Sequence, residues 1–528
     1  MKNSFFLVIP AQQDNPLRLK EFEAKALQQW LAELPTANPG LATRLLYDFL
    51  MDFNANKMTA QLRLEALELL SPSVHIIEDY LRSRLIRTGF PKEENDKKIL
   101  TVLIAIEKEF TIGYWMVLKE LTRRQVGWFQ GKSAALAIQR SIKGLGSIVV
   151  SHFLMGMPIP DWVWIDLHSL YSLSVTLKNS MTKISNDIGA SNKASSPEEC
   201  YRQTLLLSLA DPTGLMQKEI LLVYGFIETI GSLVGLKKEP VPDQEIQCIV
   251  LSDEDKAPNF QFETCAKNDS AMLYLDFTKL FKAFKQKEKL INSADARFSS
   301  MHVLKNSIEK PTAELHDYLE QRWLGVDLQG IPFFCDRMDR YIAVGLESTH
   351  ELQCELGDVA DKELEFLVQS ASDRLLSGLF LKTGVLSVGS LVSFRKIDSP
   401  VFKRSIGIVN KVIVDKQSGR INFGMQLLAH QSIAISYAQV DEMGNEVLQK
   451  GLFYSAKEQE YEKSYIITNS FMLKDDDLIR MFMNNEDFPV VLGNRKNVGL
   501  GYWQFECRRV AEKGRPALLQ AKKGYDFI

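Results

Sequence analysis

Residues 384–428 read GVLSVGSLVSFRKIDSPVFKRSIGIVNKVIVDKQSGRINFGMQLL, and this stretch decides the fold of the carboxyl-terminal part. Val388-Gly389-Ser390-Leu391-Val392-Ser393-Phe394 alternates apolar with small or polar side chains, the pattern of a strand with one buried face. Ile406–Val414 reads as a second strand, in which Gly407 marks a bulge or a close backbone approach. Asp415-Lys416-Gln417-Ser418-Gly419-Arg420 then turns the chain into a third strand, Ile421–Leu428. Three strands joined by tight turns predict a small antiparallel β-barrel. From Lys382 to Arg420 there are eight Lys or Arg against two acids, so one face of that barrel is basic and suited to an anion. Arg395, Lys396, Lys403 and Arg404 cluster between the first two strands, and the planar fork of arginine suits bidentate phosphate contacts. The alternative is a solvated loop whose lysines discourage aggregation of a sheet edge.

Working outward, 528 residues are too many for one core and predict about three domains. Charge is uneven: residues 381–528 hold 21 basic and 16 acidic side chains, so this part is near +5 within a chain of net −3. Residues 17–235 read as successive helices. Ala42, Leu45, Leu46, Phe49 and Phe53 recur at helical spacing, with Asn38-Pro39 as a start signal. Further helices are expected at 18–33, 58–70, 73–87, 94–123, 132–155, 161–177, 198–210 and 214–235. Ser185–Glu199 is expected as a mobile loop and Lys237–Pro242 as a domain linker. Beyond it, strands are expected at Gln247–Leu251, Phe260–Cys265, Met272–Phe277 and Tyr341–Leu346, with helices at 278–290, 312–323 and 360–377. The fold class is thus multidomain α+β: an all-helical bundle or array (1–240), a mixed α/β middle region (241–380), and a barrel with a basic tail (381–528). Arg508, Arg509, Lys513, Arg515, Lys522 and Lys523 make that tail.

Catalytic patterns are missing. Gly131-Lys132-Ser133 lacks the earlier glycine of a phosphate loop, position 126 being Val, and it follows a helix. No HExxH, GxSxG or CxxC occurs, and the six cysteines are scattered. The dipeptide His316-Asp317 stands without further ligands. Asp253-Glu254-Asp255 and Asp475-Asp476-Asp477 are read as turns and helix N-termini, where carboxylates offset the helix dipole. The expectation is therefore no enzyme, no cofactor and no metal. Few cysteines, no secretory h-region and no apolar run of membrane-spanning length imply a cytoplasmic protein.

The run GSLVSFR … SIGIVNKV … GRINFGMQLL resembles the barrel of divergent PilZ-type domains, over roughly residues 385–510. That resemblance implies a six-stranded barrel and binding of the bacterial messenger cyclic di-GMP. The family uses an Arg-x-x-x-Arg run ahead of the barrel and an Asp/Asn-x-Ser-x-x-Gly turn. Here Arg374 has Gly378 four residues later, so the arginine pair is missing. For the second motif, Asn494 and Gly499 stand in place but Lys496 replaces the serine. The ligand contacts expected are Arg374, Arg395, Lys396, Lys403, Arg404, Asn494, Lys496 and Gly499. The function expected is a non-enzymatic signalling adaptor that binds cyclic di-GMP and relays it through a helical region holding a protein partner. A ligand-independent scaffold and an SH3-like RNA binder are the alternatives; few aromatics in the basic stretch speak against nucleic acid.

Overall fold

The computed structural model describes residues 7–123, 131–185, 194–262, 271–285, 312–326, 332–354, 364–439, 448–458 and 461–510. They form two compact units: Met1–Thr88 with Lys92–Leu328, and Gly89–Pro91 with Gln329–Ile528.

The first unit opens with helices α1 (Pro16–Leu19), α2 (Ala24–Glu33), α3 (Pro39–Ala55), α4 (Ala60–Leu85), α5 (Glu94–Arg123) and α6 (Gly131–Leu154). It continues with α7 (Val163–Thr176), α8 (Pro197–Leu209) and α9 (Gln217–Ile230). Local chemistry sets several starts. The Asn38 side chain accepts from the Leu41 N–H at 3.3 Å, with Pro39 in the first turn of α3. Ser196 and Glu199 cap α8 reciprocally. That helix start takes up the end of the expected loop 185–199, of which residues 186–193 lie outside the described residues. The long α5 is central, packing on α3, α4 and α6 through Leu103, Ile106, Phe110, Val117 and Leu118.

One helical expectation in this unit is corrected. Residues 58–87 do not break at Pro72; α4 runs through it. Proline removes one ladder bond, but the buried stripe Leu67, Leu70, Val74, Ile77, Leu81 continues across it, and that packing outweighs the local penalty.

The compact unit continues past the expected linker at 237–242. Strands β1 (Gly235–Lys237), β2 (Ile246–Leu251), β3 (Asn259–Phe262) and β4 (Met272–Asp276) form an antiparallel sheet in the order β1-β4-β2-β3. Alternation along β2 explains its place. Cys248 and Val250 join the helical core, while Ile249 packs with Val241, Met272 and Tyr274 on the opposite face. Helices α10 (Thr278–Phe284) and α11 (Ala313–Trp323) complete the unit, with Trp323 buried and donating from Nε1 to the Leu206 carbonyl at 3.1 Å. The mixed region up to 326 is thus a layer on the helical core, and the two compact units part near 328.

The second unit holds two closed barrels where the sequence suggested one. The first comprises β5 (Arg340–Val344), β6 (Phe366–Ser370), β7 (Leu376–Gly378), β8 (Leu391–Lys396), β9 (Ser405–Val414) and β10 (Ile421–Ala429), closed in the order β10-β7-β6-β5-β8-β9. Its core is Phe334, Ile342, Val368, Leu376, Phe380, Val392, Phe394, Val412, Ile421 and Phe423, joined by Phe90, which pairs with Leu386. The helix expected at 360–377 is therefore corrected: over its described part the chain forms the β6–β7 hairpin, because Val368 and Leu376 serve the barrel interior and closure leaves no exposed edge.

The second barrel comprises β11 (Ile433–Gln439), β12 (Gln449–Glu458), β13 (Tyr461–Thr468), β14 (Leu478–Met483), β15 (Glu486–Asn497) and β16 (Trp503–Arg509), in the order β11-β12-β13-β16-β15-β14. Ile435, Phe453, Ile466, Met481, Val490 and Phe505 fill it. A separate apolar cluster fuses the barrels: Leu391, Ile406 and Ile408 of the first meet Leu452, Tyr454, Tyr465 and Ile467 of the second. Helix α12 (Leu346–Cys354), inserted after β5, reaches the second barrel. There His350 Nε2 donates to the Ile435 carbonyl at 2.9 Å and Gln353 to that of Ser432 at 2.9 Å.

Candidate anion-binding site

The residues singled out from the sequence are divided between the two barrels. Arg395 and Arg404 do come together. Arg395 is the penultimate residue of β8 and Arg404 immediately precedes β9, and the pairing of Phe394 with Ser405 sets them side by side. Both meet Glu365, which directly precedes β6. Arg395 donates to the Glu365 carboxylate from Nε at 2.9 Å and from Nη2 at 2.6 Å, and Arg404 donates from Nη1. The side chains are 10%, 0% and 8% exposed for Arg395, Arg404 and Glu365 respectively.

Protein groups other than Glu365 also hold each guanidinium. Arg404 donates from Nε to Ser393 Oγ at 2.8 Å and from Nη2 to the Ser393 carbonyl at 3.4 Å. The Ser393 hydroxyl in turn accepts from Thr349 on α12 at 2.9 Å. Arg395 donates from Nη1 to the Ser399 carbonyl at 2.8 Å and lies 4.6 Å from the centre of the Tyr341 ring. Burial works against ionising Glu365, but the hydrogen bonds from Arg395 and then Arg404 outweigh it and hold the carboxyl below its ordinary range. Burial also draws Arg404 below the usual guanidinium value, with Glu365 opposing. The arrangement is a buried two-cation, one-anion clasp. Arg404 is accordingly not on the open basic face that the sequence suggested.

Lys396 lies nearby but on another partner: its Nζ is 3.2 Å from Asp336, which Arg340 also holds at 2.6 Å. Burial raises and these hydrogen bonds lower the Asp336 carboxyl, to about 2. Lys403 is exposed on the β8–β9 loop. Arg374 sits in the β6–β7 turn, where Ser372 Oγ accepts from the N–H of Arg374 and of Leu375.

That turn was missed. Asp373 and Gly378 have the spacing of the Asp/Asn-x-Ser-x-x-Gly pattern, with Leu375 in the serine's place. The spacing was legible, but a segment read as helix hid it. Glu365 was also missed; nothing local marks an acid some thirty residues from its arginines in the chain.

The remaining candidates lie on the second barrel. Asn494 occupies the left-handed region at φ 52°, in a bulge of β15 between Gly493 and Lys496, and donates to Glu506 at 2.7 Å. The same bulge lays Arg495 over Trp503, 3.8 Å from the ring centre. Lys496 is exposed opposite Gln504. Gly499 has a packing reason to be glycine: a Cβ there would overlap the Gly389 carbonyl, which also accepts from Leu500 N at 2.7 Å. Of the tail, Arg509 lies over Phe488 at 4.4 Å; Lys513, Arg515, Lys522 and Lys523 lie outside the described residues.

Other chemistry-bearing residues serve the fold. His316 is buried with its ring 5.0 Å from that of Phe226. Asp255 accepts from the N–H groups of Trp162 and Ile165, so the acid run 253–255 does cap a helix, α7. Asp475 accepts from Arg495 N at 2.8 Å in the turn before β14. Among the described residues, no group of three or more His, Cys, Asp or Glu is placed to hold a metal ion, and no helix is long and apolar enough to cross a membrane.

Comparison with known proteins bears on the helical part most directly. The family model described as "Cyclic-di-GMP receptor FimW, N-terminal domain" matches residues 25–241, which cover α2 to α9. The chain is 25% identical over 317 residues to the Cyclic-di-GMP receptor FimW of Pseudomonas aeruginosa, an alignment covering 60% of this chain and 51% of that protein. The chain thus spans about half the length of the curated relative it matches. No solved structure matches it. The chain is similar, through its helical unit above all, to a receptor for cyclic di-GMP.

Proposed function

We propose that this chain is a cytoplasmic, non-enzymatic signalling protein that binds cyclic di-GMP on its PilZ-like barrels and passes the bound state to a protein partner of the helical unit. The observation that carries this reading is the match of residues 25–241 to the amino-terminal domain of a cyclic di-GMP receptor. Two closed six-stranded barrels later in the chain are consistent with it. The messenger carries two phosphates and two guanines. In this reading Arg395 and Arg404 take a phosphate, Lys403 and Lys396 supply positive potential at the mouth, and the Asp373–Gly378 turn with Arg374 meets a guanine edge. Asn494, Lys496 and Gly499 are then contacts only for a second binding face. Two charge-assisted hydrogen bonds of about 1.5–3 kcal/mol each, with base stacking, suffice for a micromolar-range receptor.

Calorimetric titration of the whole protein with cyclic di-GMP tests this. Saturable heat that Arg395→Gln abolishes and Asn494→Ala leaves intact supports the first barrel. Absence of heat at high protein concentration sinks the messenger reading. The second reading is a ligand-independent scaffold, favoured by the way Glu365 already satisfies both arginines. It predicts retention of a protein partner regardless of cyclic di-GMP.

A further inference from the structure

The arginine clasp is built like a filled anion site. Three N–H groups from two guanidiniums converge on one carboxylate whose side chain is 8% exposed. Carboxylate and phosphate share the bidentate geometry that an arginine fork recognises. We infer that Arg395 and Arg404 form a phosphate site that the chain's own Glu365 occupies as an internal stand-in, so that an incoming phosphate binds by displacing it. This rests on the reading above that these arginines anchor the messenger's phosphate, and it adds how the site is regulated.

Three observations carry it. First, the fork is organised without Glu365. Ser393 and Val401 hold Arg404, while Ser399, Ile397 and the Tyr341 ring hold Arg395. Removing the carboxylate leaves the guanidiniums aimed at the same point. Second, charge is unbalanced. Among the described residues two cations face one anion, and the nearby acid Asp336 is engaged with Arg340 and Lys396. A phosphodiester carries the same single negative charge as a carboxylate and so can take its place between the pair, and pyrophosphate, with more than one, compensates the pair better. Third, Glu365 lies just outside the strand ladder. Its neighbour Phe366 is the first paired residue of β6, opposite Ile342, so the side chain can swing away without unpairing the barrel.

An internal competitor lowers apparent affinity in proportion to the fraction of time it vacates the site. Neutralising it while keeping its shape must therefore tighten phosphate binding. The test compares the full chain with Glu365→Gln and with the double variant Glu365→Gln/Arg395→Gln. Each is titrated calorimetrically with inorganic pyrophosphate and, separately, with cyclic di-GMP, at matched ionic strength. Pyrophosphate is expected to bind Glu365→Gln roughly tenfold tighter than the unaltered chain, or more, and the added Arg395→Gln is expected to remove the gain. Equal pyrophosphate affinity with and without Glu365 overturns the inference. Should Glu365→Gln fail to fold in plain buffer, recovery of β-sheet circular dichroism by pyrophosphate but not by sodium chloride supports it, and no recovery overturns it. Pyrophosphate binding without cyclic di-GMP binding to any of the proteins leaves the displaceable phosphate site standing and removes the messenger reading.

Discussion

Replacing Arg404 by methionine removes a guanidinium with no exposed surface from the centre of the clasp. Breaking a buried ion pair by deleting one partner costs about 3–5 kcal/mol, because the other charge is left desolvated. Glu365 keeps its two bonds from Arg395 and stays paired, so the cost falls below that range, to about 1.5–3 kcal/mol for the lost charge-assisted hydrogen bond. The Ser393 hydroxyl and carbonyl also each lose one donor, adding about 1 kcal/mol. Hydrogen–deuterium exchange read by mass spectrometry localises the effect. Amides of β8 and the first half of β9 are expected to exchange roughly a hundredfold faster or more, since about 1.4 kcal/mol is a factor of ten. Amides of β2, in the other unit, serve as the unchanged reference. Arg404→Lys keeps the charge but not the fork, so an intermediate acceleration is expected. Exchange in β8 and β9 within about threefold of the unaltered chain for Arg404→Met, an RT-scale difference, would refute the claim that this ion pair stabilises the first barrel.

His168 gives a pH dependence in the helical unit. Its Nε2 donates to the Lys256 carbonyl at 3.0 Å, and in the neutral ring Nδ1 accepts from the Tyr201 hydroxyl at 2.6 Å. Burial holds its pKa at about 4, below the ordinary 6.5. The stability it contributes is therefore complete above pH 6.5 and lost as pH falls towards 4, by at most about 3 kcal/mol. Urea melts across that interval should show the decline, and His168→Gln should flatten it; an unchanged slope would count against the assignment. Gly499→Ala should destabilise the barrel pair by about 1–3 kcal/mol in thermal melts, because the new methyl meets the Gly389 carbonyl rather than a yielding side chain. Arg495→Ala should cost about 1–2 kcal/mol and alter Trp503 fluorescence, through loss of the stacked cation and of the hydrogen bond to Phe471 at 3.1 Å. Unaltered emission would mean that the stack is not populated in solution.

By itself, the sequence determined the kinds of element and much of their extent. The start of α3 at Asn38-Pro39 is local, since a side-chain cap and a proline first turn need only neighbours in the chain. Strands β8, β9 and β10 were legible for the same reason: alternation over six to ten residues reports one buried face whatever lies behind it. A bulge or close approach is expected at Gly407, and the structure shows the close approach: the Gln426 carbonyl would lie 2.7 Å from any Cβ there.

Tertiary structure decided the rest. Pro72 breaks a helix by local rules, yet the apolar stripe on both sides of it is buried in one core. Residues 366–378 carry a pattern that a helix could also use, and only closure of the first barrel makes them strands. Counting cations along the chain located Arg395 and Arg404 but not Glu365, which reaches them across the barrel wall. A charge's meaning depends on what solvates or pairs with it. That is fixed by residues distant in sequence and close in space, which is why a stretch that reads as an open basic loop becomes, once folded, a buried fork already holding an anion.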